Sequence, residues 1–328
     1  MHSCERGKRS IICDVQRNKF DFIPNGLYQI LKEYEILKFD GIKQDYNHEF
    51  DATLDQYFDF LVKNEYIFEC SDLDACCFPP IDLKWDEPFK ITNCIIDVNN
   101  GSNHDFVNIF SQLEEIMCPF IQLRFYSKVS IEQLNSIFSK LNGSSIISVE
   151  LVMPQSSDLS TDVLKKLMNN FPRVNLIFIH SAEKYKMIEK ADGQAGNIIL
   201  VPDKIDSALH CGKISYKTFS VNLKTFSESQ KYNTCLNRKL SIDVKGEIRN
   251  CPSMPESFGN ILDTKILDVL KEERFIRMWD ISKDKIESCK DCEFRFICTD
   301  CRAYILNNDN IYSKPSKCPY DPYTAKGF

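Results

Sequence analysis

The 328-residue chain has no run of eighteen or more apolar residues, and its first ten residues, MHSCERGKRS, lack an apolar signal core. A membrane span and a secretory route are therefore not expected, and a reducing, cytoplasmic setting is. Histidine is scarce, five in all, and none follows His210, so mixed Cys/His zinc sites and Rieske-type ligation are excluded from the C-terminal third. A positive excess is also missing. The net charge is −6, and residues 1–88 hold ten Lys/Arg against eighteen Asp/Glu, which gives nucleic acid or an anionic membrane no general attraction. Long Gly/Ser linkers, low-complexity tracts and internal repeats of 20–50 residues are absent too.

Cysteine is abundant, fifteen residues, and seven of them lie between Cys235 and Cys318. They follow the pattern C-x10-G-x4-C, a gap of thirty-seven, C-x2-C-x5-C-x2-C, a gap of sixteen, and a final C. The first half reads as a β-hairpin: KLSID and EIRN alternate apolar and polar residues around a turn in which Gly246 supplies a positive φ, returning Cys235 and Cys251 to one end. In the second half, Cys289/Cys292 and Cys298/Cys301 have the knuckle spacing that aims two sulfurs at one metal. All-thiolate ligation leaves zinc or an iron–sulfur cluster. Seven ligands are awkward for one four-coordinate zinc, and five residues between knuckles is short for a zinc ribbon, so two neighbouring clusters account for the pattern better.

Upstream, RSIICD and FDFI read as a hairpin, followed by a helix opening at Pro24-Asn25, a second helix over 51–63 and a strand at 66–68. Pro79, Pro80 and Pro88 mark an extended connector containing the adjacent Cys76 and Cys77, which are expected to be structural. From 89 to 201, apolar runs at 91–98, 120–125, 146–152, 174–179 and 198–201 alternate with helical periods at 106–117, 131–141 and 161–171. That is the signature of a parallel sheet with external helices. Five strands are too few for a closed barrel. In the loop at 99–105 His104 is the titratable oddity, read as a surface residue.

The cysteine spacing, Cys251-Pro252 and the FGNI run at 258–261 resemble the SPASM domain, the C-terminal extension of radical SAM enzymes that modify peptides. The resemblance implies auxiliary 4Fe–4S clusters. Cys289, Cys292, Cys298 and Cys318 match the ligands of the second, and Cys235, Cys251 and Cys301 match three of the first. The last knuckle is C-x2-C where the family usually has C-x3-C, and Cys211, the nearest spare cysteine, is favoured as the fourth ligand of the first cluster. Where such enzymes carry C-x3-C-x2-C after the first strand, this chain has Asn99-Asn100-Gly101-Ser102-Asn103-His104-Asp105, so SAM cleavage is not expected. HCGKI at 210–214, NTCLNRKLSID and CKDCEFRFICTDCRAY are similar to the grasp-with-SPASM peptide maturases.

The expected architecture is α/β. It comprises a winged-helix-like peptide-recognition module (1–75), a linker (76–88), a partial, open βα barrel (89–210) and a cysteine-rich SPASM domain (211–328). The resemblance implies a precursor peptide and an ATP-grasp ligase as partners, with no nucleic acid and no membrane. The alternative is a zinc-stabilised, non-catalytic adaptor that scaffolds peptide and ligase.

Overall fold

In the computed structural model, residues 7–75, 77–189 and 196–328 are described. Strands β1 (Ser10–Asp14) and β2 (Lys19–Ile23) form an antiparallel hairpin, followed by helices α1 (Asn25–Glu33), α2 (Phe39–Asp45) and α3 (Asp51–Lys63) and the short α4 (Asp72–Ala75). Leu27, Tyr28 and Ile30 of α1 and Leu54, Phe58 and Leu61 of α3 supply the buried face of this module, at the spacing of one helical stripe.

The strand expected at 66–68 does not form. Helix α3 closes instead by a left-handed residue, Glu65 at φ 58°, and the Tyr66 N–H bonds back to the Leu61 carbonyl at 2.9 Å. This closure uses the donor that a strand would have needed. The Tyr66 hydroxyl then donates to Asp21, so the segment packs on the hairpin by its side chain.

The centre of the molecule is one open sheet. Strands β3 (Asn93–Val98), β4 (Phe120–Phe125), β5 (Ser148–Pro154) and β6 (Val174–His180) run parallel, joined by α5 (Phe106–Glu115), α6 (Ile131–Ser139) and α7 (Thr161–Asn170). Each helix begins at a side-chain cap: Asp105 accepts from Val107 and Asn108 N–H, Ser130 from Gln133 in a capping box, and Ser160 from Val163. Burial alternates along β4 and β5. Ile121, Leu123, Phe125, Val149, Leu151 and Met153 belong to the main core with the buried faces of the three helices, while Gln122, Glu150 and the largely buried Arg124 lie on the opposite face.

The sheet has eight strands, in the order β10-β9-β3-β4-β5-β6-β8-β7, where five had been expected. β7 (Lys186–Glu189) is a four-residue edge strand antiparallel to β8 (Asn197–Leu200), and KMIE, with a charge at each end, is too short for a hydrophobic pattern to announce it. At the other edge, β9 (Lys239–Ile242) pairs parallel with β3 and antiparallel with β10 (Ile248–Arg249). The cysteine hairpin is thus a continuation of the sheet, which runs across the expected boundary at 210. Among the described residues no helix is long and apolar enough to cross a membrane.

Candidate metal centres

The hairpin turn is built for the job that the sequence suggested. Asp243 accepts from the backbone N–H of Lys245 (2.8 Å) and Glu247 (3.0 Å) and from Arg249 Nε (2.8 Å), and Gly246 sits at φ 86°. Asn260, from the FGNI run, donates to the Lys245 carbonyl and to Glu247, clamping the turn from outside. At the open end, Cys235 stands two residues after Asn233, whose side-chain oxygen accepts the N–H of both Cys235 (3.0 Å) and Leu236 (2.9 Å), and Cys251 stands two residues after β10.

The structure brings Cys211 and Cys301 to this end. Gly212, at φ 82°, lies so close that a Cβ there would be 2.9 Å from Cys301 Sγ. Burial pushes the Cys235 thiol well up, and Cys251, Cys301 and Cys211 raise it further against the opposing charge of Lys239. Burial likewise pushes Cys251 up to about 11, with Cys211 and Cys301 adding to it. Lys317 Nζ donates to the Cys211 carbonyl at 2.7 Å, fixing the strap that carries Cys211.

Lys239 pairs with Asn93 and Arg249 with Ser241, so the open end of the hairpin that carries Cys235 and Cys251 lies at the amino end of β3 and β9, and the turn lies at their carboxyl end. Asp97, 2% exposed near the end of β3, accepts from Arg124 Nε (2.6 Å) and Nη2 (2.8 Å) and from the Tyr126 hydroxyl (2.7 Å). Burial opposes the Arg124 charge and Asp97 more than reverses that, so the guanidinium stays protonated within electrostatic reach of Cys211. His104 is half-buried and its Nε2 donates to the Asp97 carbonyl at 2.8 Å. It fastens the loop after β3 to its strand, which corrects its reading as a simple surface residue. Ser102 ties the same loop to the Val244 carbonyl in the hairpin turn (2.8 Å).

Cys289, Cys292, Cys298 and Cys318 line a separate small cavity, shared with Lys283, Phe294, Tyr320 and Phe328. Burial raises Cys292 and Cys298 and pushes Cys289 up to about 11. The N-terminal hairpin closes over this region: Phe20 and Phe22 lie 5.7 and 5.8 Å from the Phe294 ring, and Arg9 pairs with buried Glu293 at 2.9 Å.

Sequence reasoning missed Lys283, which is 5% exposed with Nζ 3.5 Å from Cys298 Sγ. Burial pulls its charge down, and Cys298 and Asp300 outweigh that and raise its pKa. A lysine in the polar run SKDKIES gives no local signal of burial. Among the described residues the other cysteines stand apart from both groups. Cys94 and Cys118 are buried in the sheet core, Cys13 is a partly buried residue of β1, Cys70 and Cys77 are exposed, and Cys4 and Cys76 lie outside the described residues.

Among the described residues, no three His, Cys, Asp or Glu side chains converge tightly enough to hold a single metal ion. Two buried thiol groups, one lining a cavity with a buried ammonium at its wall, fit a polynuclear anionic centre, whose thiolates need neighbouring positive charge and N–H donors.

Residues 234–293 match the SPASM iron–sulfur cluster-binding domain. The matched stretch contains Cys235, Cys251, Cys289 and Cys292, and the chain therefore carries an iron–sulfur-binding domain of this class on an α/β sheet. No curated protein matches the chain.

Proposed function

We propose that this protein takes part in maturing a ribosomally made peptide, binding the precursor and carrying a 4Fe–4S cluster at each cysteine group, beside an ATP-grasp ligase and without generating a SAM radical. The observation that carries the reading is the division of eight cysteines into two separate buried groups, while the loop after β3 has none. Cys211, Cys235, Cys251 and Cys301 would hold one cluster, and Cys289, Cys292, Cys298 and Cys318 the other. Such clusters supply one-electron chemistry and, at an open iron, a Lewis acid.

The chain's own residues do the rest. Asp97 holds Arg124 as a fixed cation within electrostatic reach of Cys211 and Cys251, and His104 and Ser102 pin the loop after β3 to its strand and to the hairpin turn. In the N-terminal module β1 and β2 pair, among the described residues, with each other alone, which leaves each an outer edge there, and Phe22 is 41% exposed. An extended peptide adding a strand at such an edge would lie close to the second cavity, because the hairpin closes over it.

The test is to incubate anaerobically purified, dithionite-reduced protein with S-adenosylmethionine and to look for 5′-deoxyadenosine by mass spectrometry, then to identify peptides that copurify. None of the nucleoside and a bound precursor-type peptide are expected. Stoichiometric or catalytic 5′-deoxyadenosine would overturn the proposal.

A further inference from the structure

The two cysteine groups are joined by a continuous line of buried polar side chains. Cys298 and Cys301, one from each group, are separated only by Thr299 and Asp300. Asp300 is 1% exposed and its carboxylate is fully engaged: Oδ2 accepts from Asn233 Nδ2 at 2.7 Å, and Oδ1 accepts from Arg302 Nη2 at 2.7 Å and lies 3.9 Å from Lys283 Nζ. Asn233 continues the line by accepting the Cys235 N–H at 3.0 Å. At the other end, Lys283 Nζ donates to the Thr299 carbonyl at 3.4 Å and to Cys298 Sγ at 3.5 Å. The path therefore runs Cys235, Asn233, Asp300, Lys283, Cys298, from one group to the other.

The charges along it do not cancel. Lys283 and Arg302 give two positive charges against the single negative charge of Asp300, all three at most 5% exposed. A buried excess of one positive charge is costly unless something anionic completes it. Other ion pairs at this end are self-contained: Arg9 is matched by Glu293, and Arg295 by Asp284 at 3.1 Å. The anion that faces Lys283 Nζ is the thiolate of Cys298 and whatever it ligates. Hydrogen bonds and charges at ligand sulfurs are the means by which a protein tunes such a centre.

We propose that Lys283 is a positioning residue that sets the reduction potential of the second centre, and that Asp300 couples the two centres electrostatically. The inference rests on the cluster-binding reading above and deepens it. Lys283 favours the extra negative charge that one-electron reduction adds. Asp300, which has Cys298 on one side and Cys301 on the other, opposes that charge at both centres.

The experiment is a dithionite-poised redox titration of the anaerobic, full-length protein, read by visible absorption and electron paramagnetic resonance. A Cys251→Ala background isolates the second centre. Lys283→Met should lower the reduced-to-oxidised ratio of the second centre at least tenfold at the potential where the parent is half reduced, a shift of about 59 mV for a one-electron couple. Lys283→Arg should return it toward the parent. Asp300→Asn should move both centres of the otherwise wild-type protein the opposite way, and it carries the test alone if Lys283→Met does not retain its cluster. Clusters present with unchanged potentials, or both variants shifting in the same direction as mere loosening of the site would cause, overturn the inference alone. Wild-type protein without iron overturns the cluster-binding reading and this inference with it.

Discussion

Gly212→Ala is a one-methyl perturbation aimed at a single sulfur. A Cβ at that position would stand 2.9 Å from Cys301 Sγ, 3.4 Å from Cys301 Cβ and 3.0 Å from Tyr304 Cδ2. Ordinary carbon–heavy-atom contacts begin at about 3.5 Å, so Sγ must retreat by about 0.6 Å or the Cys211–Gly212 strap must move by as much. Metal–ligand distances tolerate only about 0.2 Å. Either response displaces one member of the first group, Cys301 or Cys211, and leaves the second group untouched. The left-handed backbone, φ 82°, adds about 1–2 kcal/mol of strain for any residue with a Cβ. Gly143 separates the two effects, because it has nearly the same φ, 80°, with no heavy atom within 4 Å of an added Cβ. Iron and sulfide should fall by on the order of four atoms each, one cluster's worth, in Gly212→Ala and by none in Gly143→Ala. Wild-type iron in Gly212→Ala, or equal losses in both variants, would refute the placement of Cys301 and Cys211 in one centre.

Other expectations follow from the same geometry. Asp97→Ala leaves the buried Arg124 guanidinium without its partner and should cost about 3–5 kcal/mol in denaturant unfolding, whereas the Asp97→Ala/Arg124→Met double variant should recover much of that; a double variant no more stable than the single one would contradict this. Cys251 and Cys289 have folded-state values of about 11 against an ordinary 9.0, so the metal-free folded chain keeps protons that the unfolded chain releases. Their contribution to stability is complete below about pH 9 and is lost as pH rises toward 11. The melting temperature of reduced, metal-free protein should fall across that window more steeply than that of a Cys251→Ala/Cys289→Ala variant, and parallel slopes would count against it.

What could be read from the sequence was whatever is encoded locally. FIQLRF is a strand by alternation, Asp105, Ser130 and Ser160 fix where helices begin, and Gly246 marks a turn that needs a positive φ. Cysteine spacing gave the candidate thiols for the same reason, since knuckles and hairpins bring near neighbours together. Long-range pairing leaves no such trace: nothing in KLSI says that it will lie parallel to Asn93–Ile96, so the hairpin was not recognised as part of the sheet. The missing strand at 66–68 was decided by a competing hydrogen bond from Tyr66 to Leu61, which a propensity pattern does not register. Lys283 was invisible because its burial depends on Cys298 and Asp300, fifteen and seventeen residues on, and on the fold that brings them back.

The account turns on whether the two cysteine groups hold iron–sulfur clusters. Iron, zinc and acid-labile sulfide should be measured together on wild-type protein purified without exposure to air. About eight iron and eight sulfide per chain, with a broad brown visible absorption, is the predicted result. Colourless protein with about one or two tightly bound zinc ions and no sulfide would contradict it and leave the chain a zinc-stabilised scaffold.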